Sequence, residues 1–131
     1  MEYEKIKEEY QKRFSKITDN VGLFWAFNRE QLAEGMKKNP SEKYVNIGMG
    51  GFMPKVNVDQ FMEKTKALDA WFKEEKKKIK KEKMILYELN NYECFYTGDI
   101  QDAYEVLADT CSFDEVNVVY KKYKAAKYRT K

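Results

Sequence analysis

The chain has no histidine in 131 residues. Histidine is the only side chain whose unperturbed pKa lies near neutrality, and it is the commonest general base and metal ligand. Ser-His and Cys-His nucleophile pairs are therefore excluded, as are zinc sites built on imidazole. Thiols are scarce: Cys94 and Cys111 are the only two. With no base to activate them, they read as small buried hydrophobes. No apolar run approaches the roughly 20 residues of a spanning helix, so no membrane is expected. The opening Met1-Glu2-Tyr3-Glu4-Lys5 is charged and amphipathic, unlike a signal sequence, and a Lys/Glu-rich chain with two thiols fits a reducing cytoplasm. What remains for catalysis is carboxylate, Lys or Tyr chemistry, and no spacing demands it. The expectation is a binding protein, not an enzyme, with no catalytic, cofactor-binding or metal-ligating residue.

What is there is charge and apolar surface in alternation. Charged residues make up 36% and hydrophobic residues 43%, with a net charge of only +3. Interleaved charge of both signs suits amphipathic helices and is too balanced to declare a nucleic-acid partner. The length fits one domain, 1–131. We expect an N-terminal helix over 2–18, a strand, helix and hairpin over 21–56, and a helical region over 57–128. The fold class is α+β: mostly helical, with a small sheet of about three strands.

The first helix carries Tyr3, Ile6, Tyr10, Phe14 and Ile17 on one stripe. That stripe either docks on the chain's own core or makes a dimer seam. Thr18-Asp19-Asn20 punctuates, and the apolar run Val21–Phe27 fits a buried strand. Asn28 with Gln31 forms a capping box for a helix that stops before Asn39-Pro40. Tyr44–Met49 reads as a strand, Gly50-Gly51 as the turn, and Phe52–Val56 as the return strand, with Pro54 pushing it to an edge. If the first two strands are parallel neighbours, their crossover is right-handed. A helix from Asn57 or Asp59 carries Phe61, Leu68, Trp71, Phe72 and Ile79, and the Lys73–Lys83 run projects or breaks. A buried helix from Met84 to about Thr97-Gly98 follows, then a short helix capped by Asp99, then one opened by the capping box Ser112/Glu115.

Few motifs carry chemistry. Gly48-Met49-Gly50-Gly51-Phe52 lacks the strand-to-helix context of a phosphate loop and reads as a hairpin. Glu88 and Glu93 lie in the most apolar helix and would serve as acid and base only if they converged; structural hydrogen bonding is the simpler reading. The run Lys73–Lys83 is either a solvated face or a contact for phosphates or acidic protein. The tail Lys121–Arg129 mixes rings and cations as nucleic-acid-stacking segments do, although Tyr120 and Tyr123 can also face the core.

Three stretches together carry a resemblance: Leu23–Gly35, Tyr44–Phe52, and Tyr87–Cys94 leading to Tyr96-Thr97-Gly98-Asp99. Their order resembles a family of small uncharacterised proteins of bacteriophages and other mobile elements. In that pattern an Asn-His-Glu run often fills the third stretch. Here it is Asn91-Tyr92-Glu93, so any role of that imidazole is lost. The resemblance implies no activity. It implies a partner: small phage proteins often bind a host protein, and anti-CRISPRs are one such group.

The expected function is therefore a non-enzymatic inhibitor of a bacterial defence complex, acting by steric occlusion in the host cytoplasm. The expected partner is a bacterial protein or protein–nucleic-acid complex. Lys76, Lys77, Lys80, Lys81, Lys121, Lys122 and Lys124 would meet acidic surface, with Trp71 as the apolar anchor. The alternative is a small nucleic-acid-binding regulator, and homodimerisation through the first helix fits either.

Overall fold

The computed structural model describes residues 2–129. Its helices are α1 (Tyr3–Val21), α2 (Arg29–Met36), α3 (Val58–Lys77), α4 (Lys81–Asn91), α5 (Cys94–Thr97), α6 (Gln101–Leu107) and α7 (Phe113–Arg129). Its strands are β1 (Phe24–Trp25), β2 (Tyr44–Gly48) and β3 (Gly51–Pro54). Among the described residues this is a mostly helical α+β chain with one three-stranded antiparallel sheet, as the sequence led us to expect. The chain forms two compact units. One holds residues 7–71; the other holds the first turn of α1, through Ile6, and the chain from Phe72 onward.

In the unit of residues 7–71, α1 runs past Thr18-Asp19-Asn20 and stops at Gly22. Leu23 N–H donates to the Thr18 carbonyl and Gly22 N–H to the Asp19 carbonyl, with Gly22 at φ +72°. That pair of bonds is the Schellman closure, which needs a residue that enters the left-handed region cheaply. The true stop signal was this glycine. Tyr10, Phe14 and Ile17 are half-buried within the unit, and the Tyr10 hydroxyl donates to Asp69 at 2.8 Å. This stretch of the stripe is thus partly covered by the chain itself and partly open.

The sheet order is β1-β3-β2, all antiparallel. β1 is not a parallel neighbour of β2, so the condition for a crossover is not met. The structure corrects one expectation, for the strand ending in Pro54 is central rather than an edge. The reason is local. Lys55 N–H donates to the Lys43 carbonyl, so by alternation the nitrogen of Pro54, opposite Tyr44, points away from β2. It points to the β1 side, where pairing has ended at Phe52 and where Gly22 lies against the proline ring. No ladder bond is lost there. The turn is also one residue earlier than expected, Met49-Gly50, with φ of +53° and +82°. Two positive φ values in a two-residue loop are those of a type I′ turn.

One sheet face is closed by α2. Phe24, Phe52 and Tyr44 cluster there, with ring centroids 6.0 and 5.8 Å from Phe24. Gly35 of α2 lies flat on the Phe24 ring, where a Cβ would sit 2.2 Å from Cε2. The capping of α2 is as read: Gln31 N–H donates to Asn28 Oδ1 at 2.8 Å, and the Gln31 amide oxygen accepts from Phe27 N–H.

In the other unit, α4 is central and touches α5, α6 and α7. Met84, Ile85, Leu89, Cys94, Ile100, Ala103, Leu107, Cys111, Val116, Val119, Tyr120 and Tyr3 form one core. The lysine run does break: α3 ends at Lys77, Lys80 is extended, and α4 starts at Lys81, three residues before the expected Met84. The helix expected to reach Thr97 is two, because Glu93 takes φ +54° between α4 and α5. The Ser112/Glu115 box holds α7 as read, with reciprocal bonds of 3.0 and 3.1 Å.

Candidate functional site

The lysines expected to form a contact surface are mostly engaged by carboxylates of the chain itself. Lys76 is a correction: it is 3% exposed, so it is no part of a solvent-facing patch. Its Nζ meets Asp109 Oδ2 at 2.6 Å and lies 4.5 Å from the centroid of the Phe72 ring. Lys76 lies one helical turn beyond Phe72 on α3, and that phase is the sequence signal for its burial. Lys77 pairs with Glu74, Lys81 with Glu115, and Lys122 with Glu82. The Ser112 N–H and the Lys81 ammonium hold Glu115 below its ordinary pKa, and Glu115 in turn raises Lys81. The bond from Lys122 likewise lowers Glu82 and raises Lys122. The two basic stretches thus meet at α4 and α7, as ion pairs in solvent, where water and salt screen them and they contribute little to stability. Lys80, Lys121 and Lys124 are exposed.

The rings beside those cations are also occupied. Tyr120 is buried and stacks on Phe95 at 5.5 Å, and Lys124 lies over its ring. Tyr123 is half-buried against the core and lies under Lys122. Neither offers a bare face for a base to stack on. Tyr128 and Arg129 fall outside the described side chains. Trp71, the expected anchor, is half-buried with the Arg13 guanidinium 4.0 Å above its ring.

Glu88 and Glu93 do not form an acid–base pair open to a substrate. Glu88 is fully buried; it accepts from the Tyr3 hydroxyl and from Asn91 Nδ2. Glu93 is exposed. Burial and the bond to Glu88 push the Tyr3 phenol far up, so it stays a neutral donor. Among the described residues no group of three or more Cys, Asp or Glu could hold a metal ion.

The surface that stands out lies on the hairpin, where no candidate was expected. Val21–Phe27 is not a buried strand throughout: Val21 and Ala26 are buried, but Trp25 is 54% and Phe27 75% exposed. Ile47 is 39% and Met49 93% exposed. The glycines gather these side chains. A Cβ on Gly50 would sit 2.4 Å from the Phe27 ring, and one on Gly51 would sit 2.9 Å from Ile47 and 3.1 Å from Trp25. Gly51 pairs with Trp25 across the sheet, so Trp25 and Ile47 close over a position with no side chain of its own. Ala26 N–H donates to the Gly50 carbonyl at 2.8 Å and fixes Phe27 beside the turn. A register shift between Asn46 and Gly48 sets Ile47 at a bulge, a device that re-aims a side chain.

Residues 3–128 match a family of unknown function, DUF7659. The chain belongs to that family. No curated protein and no solved structure matches it. The match spans both units of this DUF7659 chain. Its sequence does hold a signal for the hairpin surface. The eight residues Val21–Asn28 and the eleven residues Tyr44–Pro54 include no charged side chain. In a chain that is 36% charged, about seven would be expected among them. Loss of charge with gain of aromatics and Met is the composition of an interface centre.

Proposed function

We propose that this DUF7659 chain is a non-enzymatic binding protein that acts by occupying a surface of another protein. One observation supports this most: the charge-free hairpin holds Trp25, Phe27, Ile47 and Met49 in solvent. Large side chains kept out of the core at one place mark an interaction site, whereas scattered ones do not. The resemblance to small proteins of phages and mobile elements supports a bacterial target. Within that class it favours a defence complex that binds or cuts nucleic acid, blocked by steric occlusion in the host cytoplasm. The exposed Lys80, Lys121 and Lys124 would steer the approach to an acidic partner, which raises on-rate more than affinity.

The test is affinity capture of the tagged chain from a bacterial lysate, with and without nuclease, and mass spectrometry of what is retained. A stoichiometric protein that survives nuclease is the expected result. Recovery that collapses with nuclease would overturn the reading in favour of a nucleic-acid-binding regulator.

A further inference from the structure

We infer that the contact is made by the hairpin tip, with Met49 and Phe27 entering an uncharged, concave apolar pocket of the partner protein and Trp25 with Ile47 seated on its lip. This rests on the binding-protein reading above.

The first ground is the conformation of Met49. It is the first loop residue of a type I′ turn, at φ +53°. Asn, Asp and Gly adopt that region with least strain, and an unbranched apolar residue gains nothing there from the backbone. Nor does it gain from burial, because 93% of the residue is in solvent. A residue chosen for folding would be different. A residue chosen to be buried by something else accounts for both facts.

The second ground is charge. Nucleic acid is held by cations on phosphate, and the two sheet segments offer none. An acidic protein surface is equally unmatched. An uncharged apolar pocket is the complementary chemistry.

The third ground is area and shape. At about 200 Å² for a large side chain, the four exposures amount to roughly 500 Å². Two copies meeting patch to patch would bury about 1,000 Å², short of the roughly 1,200 Å² at which stable interfaces begin. Both copies would also present a protruding turn. A pocket in a different protein would enclose the tip and bury the backbone and flanking residues of the hairpin as well as the four side chains, which takes the total past that threshold.

The experiment places a photoreactive benzophenone at position 27 of the tagged full chain and irradiates it in the same bacterial lysate. A second chain carries the group at exposed Gln60 as the control. Both are repeated with Met49→Asn, which puts a turn-favoured residue at the tip. The expected result is a cross-link from position 27, but not from position 60, to the protein that the tag captures. With the purified partner, Met49→Asn should weaken binding at least tenfold while its melting temperature equals or exceeds that of the native chain. That opposite movement cannot come from misfolding. A cross-link to a second copy, to nucleic acid or to lipid would overturn the inference, as would undiminished binding by Met49→Asn. Failure to capture any protein would instead overturn the binding-protein reading itself.

Discussion

Truncating the two partners of the Lys76–Asp109 ion pair should have very unequal effects. Lys76 has 4% of its side chain exposed and Asp109 has 42%, across a 2.6 Å bond. Asp109→Asn removes the counter-charge and leaves an almost wholly buried ammonium without it. Breaking a buried pair this way costs about 3–5 kcal/mol. The lower end applies here, because the Phe72 ring lies 4.5 Å from Nζ and a cavity of ≈ 220 Å³ adjoins the pair. Lys76→Met removes the buried charge and keeps an apolar stem of similar length. The carboxylate left behind is half in solvent and hydrates, so the loss should stay below about 1 kcal/mol. For a chain of this size about 1 kcal/mol moves the melting temperature by roughly 3–5 °C. Asp109→Asn should therefore lower it by roughly 10 °C and Lys76→Met by a few degrees. Urea titration followed by far-ultraviolet circular dichroism gives the two free energies, with an unchanged slope showing that the same surface unfolds. Equal losses for the two variants would refute the reasoning, since they would mean that the pair sits in water or that Lys76 contributes chiefly by packing.

Three further outcomes follow from the geometry. Gly35→Ala should destabilise by about 1–2 kcal/mol, because overpacking against the Phe24 ring outweighs the roughly 1 kcal/mol a helix gains from Ala; a more stable variant in urea would refute this. Burial and the bond to Asp69 push the Tyr10 phenol up to about 12, and Tyr3 is raised further. A raised phenol favours the folded state below the unfolded value of about 10, and that contribution is lost as pH climbs through the folded values. Tyrosinate absorbance should show a late step near pH 12 that Tyr10→Phe removes, and a native chain with all ten tyrosines ionised together near pH 10 would contradict it. Burial raises both the Cys94 and the Cys111 thiols, so a disulfide reagent should modify them no faster than the chain opens; immediate stoichiometric reaction would count against it.

The parts of this fold that were legible in the sequence are those set by near neighbours. Asn28 with Gln31 and Ser112 with Glu115 act within one helical turn, so their residue types suffice to place two helix starts. The end of α1 was misplaced because Thr18-Asp19-Asn20 has turn composition. The Thr18 hydroxyl instead donates to the Ser15 carbonyl and the helix runs on to Gly22. Strand order was not legible. Whether Phe24 meets β2 or β3 depends on residues more than twenty positions away, and alternation along one strand says nothing of which partner it takes. Nor could the contact of Lys122 with Glu82, forty positions apart, be read from two separate charge runs.

The burial of Lys76 and the exposure of the hairpin were missed for a more informative reason. Burial was assigned by residue type, lysine outside and aromatic inside, and the chain reverses that at both places that matter. Lys76 goes inside because helical phase puts it one turn beyond Phe72, and Asp109 is there to meet it. Phe27 and Trp25 lie over Gly50 and Gly51 at the end of the hairpin, and Met49 in the turn itself, all largely in solvent. The first reversal is compensated within the chain by an ion pair and a ring face. The second has no such compensation among the described residues: the turn bears a left-handed Met and the apolar surface stays wet. Natural sequences violate their own folding rules mostly where something other than folding is served. An uncompensated violation at Met49, beside a compensated one at Lys76, is why the proposed contact is put on the hairpin rather than on the lysine run.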